Sequence, residues 1–261
     1  MNFYHLTRGE KILCLKRTNV LDLLKKHTSI RSYQSTDIPE NELRQMISSA
    51  QHAASSNFVQ AYSIIRITDF EKRQSLAKLS KNKQQILSAP VVLLFCADLK
   101  RVEHACQIHD VSLDGQTVED FIITIVDTAL FAQNFVVAAE SLGYGICYIG
   151  GVRNNPEAIS ELVQLPDKVI PLFGMTVGVP AEEQWVKPRL PVEAILHDNY
   201  YDEEKYNNLL QTYDETMNAY YKNRLTNTKD TNWSKSMSEF FNIPRRLHMK
   251  KFVQKRGFTL K

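Results

Sequence analysis

The chain has 261 residues, a net charge of +3, 43% hydrophobic and 23% charged residues, values close to globular averages. It is long enough to bury a full core, as one large domain or one domain with an appendage. So small a charge argues against a nucleic-acid binder, and Cys14, Cys96, Cys106 and Cys147 form neither a CxxC pair nor a zinc spacing.

The opening "MNFYHLTRGEKILCLKR" has no apolar core and no small-residue cleavage site, so no signal peptide is expected. Residues 1–18 read as an extension, either a disordered tail or a stretch from an upstream start codon. Val20 to His27 reads as a short helix. The following "KKHTSIRSY" sets His27, Ser29 and Arg31 at alternate positions. If extended, that segment offers three anion donors on one side.

A helix is expected within residues 37–55, with Pro39 early and Leu43, Met46, Ile47 and Ala50 at helical spacing. "SIIRIT" reads as a strand and Phe70 to Leu79 as a charged helix. "PVVLLFCAD" reads as a strand covered on both faces, because its apolar run is unbroken.

Val118 to Leu142 is the longest apolar segment. Asp127, Gln133, Asn134 and Glu140 within it would be costly in lipid, so it reads as a buried helix of a soluble protein. It is apolar nearly all round. One sheet covers only one side, so a second copy of the chain is expected on the other, as a homodimer.

"GICYIGG" reads as a third strand. A helix follows, with Asn155 as N-cap and Pro156 at its first position. "VIPLFGMTVGVPA" reads as a fourth strand, where Gly174 and Gly178 suggest bulging or close approach. Alternating strands and helices indicate an α/β or α+β sandwich. Beyond His197 the chain turns polar and Tyr-rich. It is expected to form a helix carrying Leu209, Tyr213, Met217 and Tyr220, a loop "LTNTKDTN", and two short terminal helices. In the second of these, Leu247, Phe252 and Val253 are expected to pack inward. Cys96 and Cys147 read as core residues, and the cysteine usage suits a reducing cytoplasm.

Six of the nine glycines fall between Gly143 and Gly178, most densely in "GYGICYIGGVRNN". Gly150 and Gly151 end a strand; the options are an ordinary tight turn or backbone N–H groups facing a planar ligand. "WVKPRLP" puts Lys187 and Arg189 on one side of a Pro-stiffened segment, an arrangement for a phosphate or simply a solvated loop. No GxGxxG, Walker or GxSxG motif is present, and no paired carboxylates stand out. A site without an evident acid, base or nucleophile is what an enzyme with a cofactor can look like.

The order of motifs is itself informative. "HTSIR", "AASSNFVQAYSIIRITD", "FCAD", "DTALFAQNFVVAAESLGYGICYIGGVRNN", "LPDKVIPLFGMTVGVPA", "KPRLP" and "YDETMNAYYKNR" succeed one another. From about Asn19 onward this resembles the NADPH-dependent FMN oxidoreductases of the nitroreductase superfamily, the group of flavin reductases and oxygen-insensitive nitroreductases. The resemblance implies an α+β sandwich with a central, mostly antiparallel sheet flanked by helices, in an intertwined cytoplasmic homodimer. It implies an FMN-binding core over residues 19–196 and a helical extension with an NADPH-contacting loop over 197–261.

The resemblance also implies roles. His27, Ser29, Lys187 and Arg189 would hold the FMN phosphate, and Arg31 the pyrimidine edge. Tyr148, Ile149, Gly150 and Gly151 would lie along the isoalloxazine. Ser55, Ser56 and Asn57 would come from the partner subunit, and Arg224 and Lys229 would meet NADPH. Thr28 stands where the family often has Arg, and Lys83 where it often has a ring-contacting Gln, for which Gln84 or Gln85 could substitute after a small shift, Gln84 being kept as the site residue. The implied activity is ping-pong transfer from NADPH to nitroaromatics, quinones, free flavin or disulfides. The alternative is a non-catalytic dimeric binding module with a degenerate pocket.

Overall fold

In the computed structural model, residues 19–113 and 117–261 are described; the expectation for residues 1–18, Cys14 included, lies outside them. Helices α1 (Val20–Lys25) and α2 (Glu40–Ala50) precede β1 (Tyr62–Arg66). Then come α3 (Phe70–Ser80), α4 (Lys83–Ser88), β2 (Val91–Asp98), α5 (Lys100–Ile108) and the long α6 (Val118–Ser141). β3 (Gly145–Ile149), α7 (Pro156–Leu162) and β4 (Val169–Gly178) follow, then α8 (Tyr206–Asn223), α9 (Trp233–Phe241) and α10 (Met249–Lys255).

The strands form one antiparallel sheet in the order β1-β2-β4-β3. β2 shows why its apolar run is unbroken. Val92, Leu94 and Cys96 join the core that holds Leu76, Ala77, Ile86 and Ile159 from α3, α4 and α7. Val91, Leu93 and Phe95 join the opposite core with Met46 of α2 and Phe131 and Phe135 of α6. The period of two divides one strand between two buried faces. The result is an α+β sandwich with helices on both sides.

α6 begins at a capping box: the Asp120 N–H donates to Thr117 Oγ1, and the Thr117 N–H donates back to the Asp120 carboxylate. Phe131, Ala132, Phe135, Val136 and Ala139 are buried on the sheet side. Ile122, Ile125, Val126 and Leu130 are exposed on the other. By length and composition alone, α6 is the one helix among the described residues apolar enough to cross a membrane. Its Asp127 is fully buried within the chain.

Several expectations change. The bulge is at Leu172 on β4, between Phe173, which pairs with Phe95, and Pro171, which pairs with Cys96; it is not at a glycine. Gly178 is the close approach: a Cβ there would lie 2.6 Å from Pro90 Cδ and 2.8 Å from Tyr33 Cδ1. Asn155 precedes α7 but makes no cap bond; its side-chain amide donates to the Leu79 carbonyl at 2.7 Å. Phe252 and Val253 pack inward with Ile170 and Phe258, whereas Leu247 is 81% exposed. α5 was not expected from the sequence and buries no residue fully.

Candidate functional site

The segment after α1 docks along β3. The Ile30 N–H donates to the Ile146 carbonyl at 2.8 Å, and Ser29 bridges Ile146 in parallel register. Gly145 makes this approach possible, since a Cβ there would fall 2.8 Å from Ile30 Cβ. Ile30 is buried, and its neighbours Ser29 and Arg31 project to the other side. His27 is turned by a partner the sequence did not single out for this role. Its Nδ1 is 2.5 Å from Glu140 Oε1, in the last turn of α6.

The second cationic segment is fixed by tyrosines of α8. Tyr213 donates to the Pro188 carbonyl at 2.9 Å, and Tyr220 to the Trp185 carbonyl at 3.5 Å. Burial raises the Tyr213 phenol above its usual range, against the opposing pull of Arg189. Tyr213, Met217 and Tyr221 form their own small core with Leu190 and Trp233.

These two segments meet across a cleft of about 230 Å³. His27, Ser29 and Arg31 line it from one side, and Lys187, Arg189 and Arg224 from the other. Arg224 is folded back, its Nε donating to the Asn227 carbonyl at 2.9 Å. Among the described lining residues there are four Lys or Arg side chains and no carboxylate. An adjoining cleft of about 400 Å³ shares Lys187 and Arg224 and adds Lys229 and Lys235, with Asp230 and Glu239. A larger groove of about 570 Å³ lies between α7 and α10, but there Lys251 and Lys255 are matched by Glu157 and Glu161. The acid-free cleft is therefore the stronger anion site, despite its smaller volume.

The remaining predicted residues lie outside that cleft. Tyr148 and Ile149 end β3 and Gly150 and Gly151 open a 3-10 turn, continuing the strand on which Ser29 is docked. Burial, and then the Glu140 carboxylate, push the Tyr148 phenol up to about 12. Burial also raises the Cys147 thiol, and the Arg31 cation partly opposes it. A Cβ on Gly151 would collide with the Ser80 carbonyl and Asn82 Oδ1. Gly150 is freer, meeting only the Arg153 side chain, at 3.4 Å and beyond. Gln84 is exposed at the start of α4.

Ser55, Ser56 and Asn57 sit at the other end of the chain's core, anchored to buried Asp127. Ser55 Oγ donates to its carboxylate at 2.7 Å, and the Ser56 and Ala61 N–H groups each donate at 3.1 Å. Asn57, Phe58 and Gln60 all have positive φ, and Phe58 is 79% exposed. Three left-handed residues thus carry an exposed aromatic tip, and a buried carboxylate holds the loop. In the sequence Asp127 signals only a polar break in an apolar helix.

Residues 24–179 match the nitroreductase family model, and residues 187–261 match the model of the nitroreductase family C-terminal domain. The chain belongs to the nitroreductase family. Among curated members, this nitroreductase is 50% identical to a "CR(VI) reductase" of Pseudomonas sp. (strain G-1), covering 93% of this chain and 100% of that one. It is 36% identical to an "FMN reductase (NADPH)" of Bacillus subtilis (strain 168), covering 92% and 98%. Its fold matches the solved NfrA1 nitroreductase of B. subtilis at a TM-score of 0.88 and 36% identity, over 93% of this chain and all of that one.

Proposed function

We propose that this nitroreductase is an FMN-dependent oxidoreductase that takes reducing equivalents from NADPH and passes two electrons to small-molecule oxidants. The observation that carries this is the acid-free cleft with four cations, assembled from the segments of His27–Arg31 and Lys187–Arg189 with Arg224. Relatives named for NADPH-dependent FMN reduction support the donor and the cofactor.

The residues present suit FMN. A phosphate needs cations and hydrogen-bond donors without competing carboxylates, and the cleft offers that set. Cofactor pockets run from roughly 300 to 1,000 Å³, so a cleft of about 230 Å³ accounts for the phosphate end of the molecule and not the ring. The ring is assigned to the end of β3 and to a second copy of the chain. FMN, when bound, supplies the hydride chemistry that no side chain here provides.

The chain's own residues bind and orient. His27, Ser29, Lys187 and Arg189 hold the phosphate. Arg31 meets the pyrimidine edge, where a cation favours the negatively charged reduced ring. Tyr148, Ile149, Gly150 and Gly151 line the ring edge. Gln84, at the start of the helix that follows Asn82, is assigned beside them. Ser55, Ser56 and Asn57 come from the second copy, on the loop that Asp127 anchors. Arg224 and Lys229 take the NADPH phosphate.

No proton donor is required for hydride transfer, so donor and acceptor take turns at one place, with ping-pong kinetics. Nitroaromatics, quinones, free flavin and disulfides are acceptors of suitable class. Chromate joins them on the name of the relative that is 50% identical. We further propose a cytoplasmic homodimer, with residues 19–196 as the flavin core and 197–261 as the extension.

The test is the visible spectrum of the purified protein before and after anaerobic NADPH. A flavin spectrum that bleaches supports the reading. Colourless protein that takes up no added FMN sinks it and leaves the dimeric binding module.

A further inference from the structure

Tyr221 has no place in the roles assigned so far. Its ring is buried at the end of α8, in the small core with Tyr213 and Met217. Lys187 Nζ lies over that ring, 5.2 Å from its centroid, and the Arg224 guanidinium carbon lies over it at 5.0 Å. Both distances are within the roughly 6 Å over which an aromatic face attracts a cation. The Tyr221 carbonyl also receives the Lys229 N–H at 3.0 Å, so the loop carrying the next cation starts from the same residue.

Lys187 and Arg224 are the two cations that line both adjoining clefts. They are like charges on long, rotamer-rich side chains; the Asn227 carbonyl holds Arg224, but something must still draw Lys187 and Arg224 together. A carboxylate between them would do so, but it would cancel the positive field that an anion needs. An aromatic quadrupole attracts both cations and leaves their net charge intact.

We propose that Tyr221 is a positioning residue that holds Lys187 and Arg224 jointly for two phosphate-class anions, one in each cleft. This rests on the reading of the clefts as flavin-phosphate and nucleotide-phosphate sites. Tyr221 borders the second cleft but not the first, and at both it is assigned to act through the two cations. It sets their geometry, so one ring governs affinity at both sites.

The test alters the ring's electrostatics at constant shape. Tyr221→Phe retains the ring. Replacing that phenylalanine by its mono-, di- and trifluorinated forms withdraws electron density from the face in steps. The readouts are the Kd of FMN for the apoprotein, the KM for NADPH and for NADH, kcat, and Tm. Tyr221→Phe is expected to keep FMN affinity and the NADPH KM near wild type. Fluorination is expected to weaken both in parallel, reaching roughly three- to tenfold, with kcat, Tm and the NADH KM unmoved. Tyr221→Leu should show the full loss at both sites. A purely structural role would move Tm or kcat and leave the fluorinated series flat. Wild-type protein that binds FMN and uses NADPH, with a flat series, overturns the assignment of Tyr221 alone. Wild-type apoprotein that binds no FMN overturns the site reading and this proposal with it.

Discussion

Glu140, in the last turn of α6, accepts a hydrogen bond from His27 Nδ1 at 2.5 Å and so fixes which edge of the imidazole is left for the cleft. Glu140 itself does not line that cleft. It acts through His27, as a second partner orients a ligating histidine. Glu140→Ala is expected to weaken FMN binding by about tenfold, the scale of losing one charge-assisted hydrogen bond. Glu140→Gln, which keeps an acceptor, should cost less. Fluorescence titration of the apoprotein checks both. An unchanged Kd in Glu140→Ala would mean that packing alone orients His27.

The outer side of α6 carries a second prediction. Ile122, Val126 and Leu130 repeat every four residues, and each is more than 40% exposed. The anchor of the Ser55–Asn57 loop, Asp127, is next to Val126 on the same helix. On the proposed reading, assembly through this side is what lets that loop complete a second copy's site. Val126→Glu is expected to shift the protein from dimer to monomer in light scattering and to release FMN in the same step. A dimer that persists with flavin bound would remove this face from the interface.

The fold was largely legible because its strongest signals are local. Unbroken apolar runs mark β2 and α6, an early proline marks α2 and α7, and apolar spacing adds to the signal in α2. No helix is expected at α4 or α5, where neither a proline-led start nor an unbroken apolar run marks the sequence. The site divides the same way. The alternations of His27, Ser29 and Arg31, and of Lys187 and Arg189, can be read within a few residues. Their meeting in one cleft cannot, and neither can the partners Glu140 and Asp127, which lie 113 and about 70 residues from the groups they hold. The Tyr-rich composition of α8 was visible. Its purpose, holding the 185–189 segment and its cations, emerges only when the chain is folded.

Alkaline pH provides a third test. Tyr148 is pushed up to about 12 by burial and the nearby Glu140. Tyr144 reaches about 12 through burial and its 2.6 Å hydrogen bond to Glu42. An unfolded tyrosine ionises near about pH 10. The folded chain thus holds these two protons more tightly than the unfolded one. Their contribution is fully present below about pH 10 and is lost as pH rises through about 12. Tm is expected to fall across that window, with phenolate absorbance lagging behind that of the unfolded chain. The double variant Tyr144→Phe, Tyr148→Phe should show a shallower fall. An equal fall would assign the alkaline transition to other groups.

Gly150 and Gly151 are neighbours with different surroundings. The Ser80 carbonyl and the Asn82 side chain stand where a Gly151 Cβ would go, and the carbonyl cannot move without the end of α3. Gly151→Ala is expected to cost about 1–3 kcal/mol of stability, the usual range for overpacking, seen as a lower Tm with or without flavin. At Gly150 the nearest atom is the end of a flexible arginine, at 3.4 Å, so Gly150→Ala should leave the Tm of the apoprotein close to wild type. If the flavin ring lies along this strand end, the new methyl group stands against it and FMN affinity falls severalfold. Stable Gly150→Ala protein with unchanged FMN affinity would move the ring away from the end of β3. Destabilised Gly150→Ala protein would instead mean that this glycine too is used for packing.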